Sequence, residues 1–417
     1  MRNCTAILER TLAGCFLAGN ALAQAPLNSL SADDAKAGWV QLFNGKDLAG
    51  WVNPGKPGTW SVQDGEIRII DTKDHCWLRT ERMYRDFELQ LDFKVPPNGN
   101  SGVGVRGSAL GDPAFSGMEI QVLDSFGKEP GVGQCGAVYD AIAPSSIPEK
   151  PAGEWNHYLI RLQGDTIDVT LNGVKVVAGE KLDDRGYIWG KDRPWPLKNR
   201  LTTGYIALQN HGDAAAFRNL KIRDLSVDPD PGGWKGLVNA DLSGWTKRGG
   251  GTWALEKEHP ADFGALVGKD GPGHFFTDAT HDNFEIRASV KVNEKGNSGL
   301  YFRTVPRPED PDTWPLGYEA QVDNHDPKNF TGVVYDRAWP RDRNAPVSRD
   351  GAWFDYRVRA VGGHIQTWIN GVPMVDAELT NFSTGHVALQ THHTGNVIMY
   401  KDLRVLTLDE KGNPARK

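Results

Sequence analysis

The chain's best candidates for chemistry lie on two short stretches. In Met118-Glu-Ile-Gln-Val-Leu-Asp124 a period of two sets Glu119 and Gln121 on one side, with Met118, Ile120 and Val122 on the other. Asp124 is out of phase with Glu119 and joins it only if a bulge or turn re-aims it. In Tyr205-Ile-Ala-Leu-Gln-Asn-His211 the same reading aligns Tyr205, Gln209 and His211 opposite Ile206 and Leu208. Arg106 ends a glycine-rich strand in which Gly102 and Gly104 leave room for a ligand. A carboxyl, an imidazole and a guanidinium together suit proton transfer next to a developing negative charge.

A polar face is the default for an antiparallel sheet wet on one side. Two features set this one apart. Its residues recur further along the chain as Arg303, Glu319, Gln321, Gln390 and His392, and they are of mixed type beside aromatics, as sugar sites require. Weaker candidates are Trp189 and Trp195 for stacking on sugar rings, Tyr139 as a proton carrier and Lys150 to polarise a carbonyl; for each a packed or solvated structural role competes. No paired-histidine motif, EF-hand loop, Walker loop or Gly-x-Ser-x-Gly elbow is present, so neither a divalent metal nor a nucleophilic serine has a specific signal, and no cofactor is called for.

The elements that must carry these residues are strands, written twice. Asn44-Gly-Lys-Asp-Leu-Ala-Gly-Trp51 is echoed by Asn239-Ala-Asp-Leu-Ser-Gly-Trp245, Phe87 to Val95 by Phe284 to Val292, Gly99-Asn-Ser-Gly102 by Gly296-Asn-Ser-Gly299, and Ala207-Leu-Gln209 by Ala388-Leu-Gln390. The order is kept, and the first repeat carries about 16 or 17 extra residues before the last of these matches. Domain one is expected over 37–227 and domain two over 232–407, with linkers at 24–36 and 228–231 and a tail at 408–417. Phe87, Leu89, Leu91, Phe93 and Val95 alternate with polar residues, and Asn172-Gly173 and Asn370-Gly371 sit between strand-like runs as type I′ turns do. The 48 Gly and 25 Pro of the 417 residues agree with short strands and tight turns, giving an all-β chain of sandwiches or barrels. A net charge of −6 offers no broad footprint for nucleic-acid phosphates.

The first 23 residues read as a secretory signal peptide, with Arg2 and Arg10 before an apolar run too short to span a bilayer. Leu12-Ala-Gly-Cys15 spells a lipobox, but Glu9 and Arg10 stand where its apolar run belongs, so a periplasmic or secreted protein without a lipid anchor is expected. That leaves Cys76 and Cys135, both replaced in repeat two by Gly273 and Thr331, as a disulfide candidate; two buried free thiols are the alternative.

Taken together, Leu42-Phe-Asn-Gly-Lys-Asp-Leu-Ala-Gly-Trp51, Gly117-Met-Glu-Ile-Gln-Val-Leu-Asp124, Gly153-Glu-Trp-Asn156, Gly204-Tyr-Ile-Ala-Leu-Gln-Asn-His-Gly212 and Phe217-Arg-Asn219 resemble the 3-keto-disaccharide hydrolase domain family. Domain two resembles a diverged second copy, with Ala352-Trp-Phe-Asp355 and Tyr400-Lys-Asp402 in place of two of the motifs. The resemblance implies tandem concanavalin A-like jelly-roll sandwiches, a bacterial exported protein, and cleavage of glycosides oxidised at C3, with the working site in domain one. A 3-keto group acidifies the C2 proton, so a base removes it, the enolate expels the C1 substituent and water adds to the double bond. Glu119 or His211 is then the base, Arg106 or Lys150 the enolate stabiliser, and Tyr139 or His211 the acid, with Gln121, Asp124, Gln209, Trp189 and Trp195 around the substrate. Two other readings stand: a non-catalytic sugar-binding module, and an ordinary glycosidase, against which Glu119-x-Gln121-x-x-Asp124 lacks acids that laminarinase-like enzymes carry. The oligomeric state leaves no mark in the sequence.

Overall fold

The computed structural model describes residues 26–109, 111–226, 230–257, 264–310, 312–341 and 345–415; the expected signal peptide lies outside them. The chain folds as two tandem jelly-roll β-sandwiches, each made of one eight-stranded and one five-stranded antiparallel sheet. In the first copy the five-stranded sheet runs Trp51–Val52, Cys76–Tyr84, Gly204–Asn210, Asn100–Gly107, Met118–Leu123, and in the second Trp245–Gly249, Gly273–His281, Gly385–Thr391, Asn297–Val305, Leu316–Asp323.

Alternation drives each sandwich shut. Phe87, Leu89, Leu91 and Phe93 of the larger sheet are fully buried in one cluster with Val103, Val105, Ile120, Val122, Ile206 and Leu208 of the smaller. Each such side chain contributes about 1.5–3 kcal/mol of transfer free energy. Phe284, Ile286 and Val290 against Leu300, Phe302, Val322 and Leu389 repeat the arrangement. Both Asn-Gly pairs take positive φ between strands that close at Leu171 with Val174 and at Ile369 with Val372, as a two-residue hairpin demands.

The opposite face of each five-stranded sheet carries the polar stripe. Gly104 pairs with Glu119, Gly102 with Gln121 and Ala207 with Gly104; in copy two Tyr301 pairs with Glu319 and with Ala388. The strand that holds Arg106 then bulges. Arg106 has φ +53, its second-copy counterpart Arg303 has φ +47, and the ladder to the neighbouring strand slips at both places.

The copies are joined along a seam. Oδ2 of Asp230 accepts from the Met83 N–H of copy one at 3.1 Å and from Arg404 of copy two at 2.7 Å, while Trp234 Nε1 donates to Oδ1 at 2.6 Å. Ala109 N–H donates to Asp402, Trp353 N–H to the Asn199 carbonyl, and Leu201 packs with Ala265, Val267 and Trp353.

Three expectations need correction. The chain is expected to be all-β, yet Ala32–Lys36 and Pro113–Ser116 are short α-helices, capped by Ser31 and Asp112 respectively; side-chain caps rather than an apolar period hold them. The first also makes residues 26–36 a docked strap: Lys221 reaches Asp34 at 2.8 Å, and Asn28 and Asn219 exchange two hydrogen bonds. Cys76 and Cys135 are free thiols rather than a disulfide. Cys135 is buried beside the Tyr158 hydroxyl at 3.2 Å, whereas Cys76 accepts from Trp60 Nε1 at 3.4 Å, so each sulfur is held in its own setting.

Candidate active site

In copy one the stripe is divided. Glu119 lies with its carboxyl over Gly102, where a Cβ would meet Oε1 at 1.9 Å, and only 3% of the residue is exposed. Burial, with the charge of Asp112 second, pushes its carboxyl well above the usual range. Above this sheet sit the Pro113–Ser116 helix and the cluster of Phe115, Ile188, Trp77, Tyr139 and Trp195, with Pro113 3.1 Å from the point where a Gly104 Cβ would stand. The open space lies to one side, a cavity of about 920 Å³ lined by Trp77, Arg79, Gln209, His211, His75 and Trp189, with Leu255 and Glu256 contributed by copy two. Glu119 does not line it.

In copy two the stripe is whole. A cavity of about 520 Å³ is lined by Glu319, Gln321, Gln390, His392, Tyr301, Tyr335, Trp314 and Arg307. Glu319 is half-buried there, and its Oε2 accepts from the Tyr301 hydroxyl at 2.7 Å. Gln390 Nε2 donates to the same hydroxyl at 2.9 Å. Burial pushes the Glu319 carboxyl up to about 8, against the opposing pull of the hydrogen bonds from Tyr301 and Gln390. The side-chain Oε1 of Gln321, a residue that lines the cavity, accepts the Val322 N–H at 3.1 Å. His392 lies against Trp314 with ring centroids 5.3 Å apart, and burial, then the neighbouring His393, lowers its pKa. Asp326 and Asp336 also line this cavity, the first accepting the N–H groups of Lys328 and Asn329, the second paired with Lys328 at 2.8 Å. Among the described residues no group of three or more His, Cys, Asp or Glu is placed to hold a metal ion.

A family model described as the 3-keto-alpha-glucoside-1,2-lyase-like domain matches residues 38–223 and again 233–406. The chain belongs to that family. Membership makes it a carbohydrate-active enzyme of glycosidase type, with the family's domain present in two copies. It is similar to the 3-keto-disaccharide hydrolase of Bacteroides thetaiotaomicron, at 27% identity over 252 residues that cover 49% of this chain and 84% of that protein. Two solved structures described as candidate glycosyl hydrolases from Parabacteroides distasonis are also similar. One is 33% identical, covering 45% of this chain and 99% of that one with a TM-score of 0.39; another is 26% identical, covering 48% and 100% with a TM-score of 0.39.

Within this family's domain, several residues picked from the sequence are placed elsewhere. The bulge turns Arg106 off the polar face and buries it, with Nε on the Arg85 carbonyl at 2.7 Å, Nη1 on the Gly164 carbonyl at 3.0 Å and Nη2 on Asp86 at 3.1 Å. Arg303 does the same, bonding the carbonyls of Asp282, Gly362 and Phe382. Neither arginine lines the cavity beside the polar stripe of its own copy. Lys150 is exposed and bonds the Trp155 carbonyl; Asp124 accepts the Asn98 N–H, away from Glu119; Gln121 donates to Asn100. Trp195 donates to the Phe115 carbonyl as part of the cover, and Tyr139 is half-buried against Phe115, with burial raising its pKa. Gln209, His211 and Trp189 do meet, in the first cavity, and Glu319, Gln321, Gln390 and His392 meet in the second. Sequence reading missed Tyr301, Trp314 and Tyr335. Tyr301 was within reach, since the repeat alignment sets it opposite Gly104 on the face of Glu319.

Proposed function

We propose that the chain cleaves glycosides already oxidised at C3 and that the reaction takes place in the second-copy cavity. The observation that carries this reading is Glu319: a carboxyl on the floor of an open cavity, held by a tyrosine hydroxyl, with a pKa near 8 that lets it exchange a proton close to neutral pH. Its ionised form takes the C2 proton, and the C–H electron pair enters the adjacent carbonyl to form the enolate. The Gln321 amide and Arg307 lie on the cavity wall to face the enolate oxygen. The enolate collapses, C1–O breaks, and the protonated Glu319 returns a proton to the departing oxygen. Water then adds across C1=C2, its oxygen to C1 and a hydrogen to C2, so the net change is hydrolysis. No second carboxylate is required, unlike double-carboxylate glycoside hydrolysis.

The test uses a 3-keto-glycoside and its unoxidised parent in deuterium oxide. Cleavage of the keto substrate with deuterium at C2 of the released sugar, beyond an enzyme-free control, is expected. Cleavage without that label, or faster turnover of the parent, overturns the reading in favour of an ordinary glycosidase. Work outside the cytoplasm is part of the proposal and rests on residues 1–23; amino-terminal sequencing of the mature protein checks it.

A further inference from the structure

The cavity of the first copy has no part in that chemistry, yet it is built with care. Its rim is a turn in the extra segment that the second repeat lacks. Ile188 N–H donates to the Arg193 carbonyl at 3.0 Å, Arg193 N–H to Gly190 at 3.1 Å and Gly190 N–H to Asp140 Oδ2 at 3.1 Å. At its tip Trp189 sits at φ +55, a conformation that bulky side chains avoid, and 56% of it is exposed. The ring stands edge-on to buried Phe115 at 5.8 Å, so the indole rests against the framework although it faces outward. Opposite stand Trp77 and the pair His75 and His211, 6.0 Å apart. Gln209 lines the same cavity, is more than nine-tenths buried, and has an Oε1 with no hydrogen-bond partner among the described residues. The charged groups do not add up to an ion site: Asp74 Oδ2 is taken by Lys56 N–H and Thr59 Oγ1, Asp112 caps Ala114, and Arg79 lies over the Tyr205 ring at 4.3 Å.

A strained, outward-facing indole across from the buried Gln209 amide and the exposed His75 and His211 imidazoles is the chemistry of a neutral sugar ring, with an apolar face to stack and hydroxyls to pair. We propose that this cavity, walled by both copies, is a second carbohydrate site that holds an oligosaccharide without cleaving it, Trp189 stacking on a pyranose face while Gln209 and His211 bond its hydroxyls. It rests on the carbohydrate class of the substrate and not on where or how the bond is cut. The site gathers long substrates for the other cavity and leaves short ones unaffected.

Calorimetric titration of the full chain with maltotriose and with cellotriose tests this, on a background of Glu319→Gln to silence cleavage. Saturable binding of one of the two is expected, weakened at least about tenfold by Trp189→Ala and by Gln209→Ala, partly restored by Trp189→Phe, and unchanged by Trp314→Ala in the second cavity. Because Trp189 is exposed, its variants should keep the parent's melting temperature. Absence of binding by both trisaccharides at millimolar concentration, binding indifferent to Trp189→Ala and Gln209→Ala, or binding lost only with Trp314→Ala overturns the proposal. The labelling test at C2 is separate: failure there removes the elimination and leaves this site standing, and failure here leaves the elimination standing.

Discussion

The hydroxyl of Tyr301 stands 2.7 Å from Oε2 of Glu319, whereas Glu119 of the first copy has Gly104 across the ladder and no such hydroxyl donor among the described residues. The two copies thus keep one carboxyl in two states. Glu319 is half-buried in a cavity; Glu119 is sealed beneath its cover.

That difference gives the first expectation. Glu319→Gln lowers kcat on a 3-keto-glycoside by about 10²- to 10⁴-fold, the usual worth of a general base, and Glu119→Gln changes it only a few-fold. Equal losses, or a larger loss from Glu119→Gln, would return the reaction to the first copy.

The rate should rise with pH through about 8 as Glu319 ionises. Burial raises this pKa and the Tyr301 hydrogen bond lowers it, so Tyr301→Phe must move the rising limb to higher pH. A limb that stays put or moves down refutes the assignment. Stability carries the same sign: with a folded pKa above the unfolded value, the contribution is complete below about 4.5 and is lost as pH rises through about 8. Denaturant melts of Glu319→Gln and the parent should therefore diverge in favour of the variant on the alkaline side.

Gly299 leaves space for the carboxyl. A Cβ there would stand 2.2 Å from Glu319 Oε1, so Gly299→Ala displaces the carboxyl. Crystallography of the variant should show Glu319 moved from Tyr301, with kcat reduced at least about tenfold. An unmoved Glu319 with normal turnover contradicts this.

At the seam, Asp230→Asn strips Arg404 of a buried counter-charge. Loss of one partner of a buried pair costs about 3–5 kcal/mol. Urea unfolding reads it directly, and a change below about 1 kcal/mol would show that the pair matters little.

Alkylation in denaturant without reductant should label both Cys76 and Cys135, since each sulfur sits in a separate setting. A cross-linked peptide joining the two in the untreated protein would restore the disulfide.

Strands and the repeat were legible because alternation and Asn-Gly turns are local: Phe87 to Phe93 and Asn172-Gly173 needed no tertiary knowledge. The stripe itself was legible for the same reason. What hid was anything that depends on a bulge or on a neighbour in space. Arg106 shares the phase of Gly104 on paper, and one residue with positive φ turns it into the framework. The sealing of Glu119 depends on Pro113 and Phe115 folding back over the sheet, held by an Asp112 cap whose signal is a single side chain. Gly104 and Tyr301 were visible as a mismatch in the repeat, but a mismatch has no sign until both environments are seen.

The paired arginines bear on how this scaffold can be re-engineered. Arg106 and Arg303 are the same residue in both repeats, and each ties three or more chain segments together from inside. At these two positions agreement between the halves marks the chassis, whereas the mismatches Trp77 with His274 and Gly104 with Tyr301 mark where the two cavities have drifted apart. A combinatorial library aimed at new glycosides should diversify positions 77 and 274, 104 and 301, and 189, and hold 106 and 303 constant.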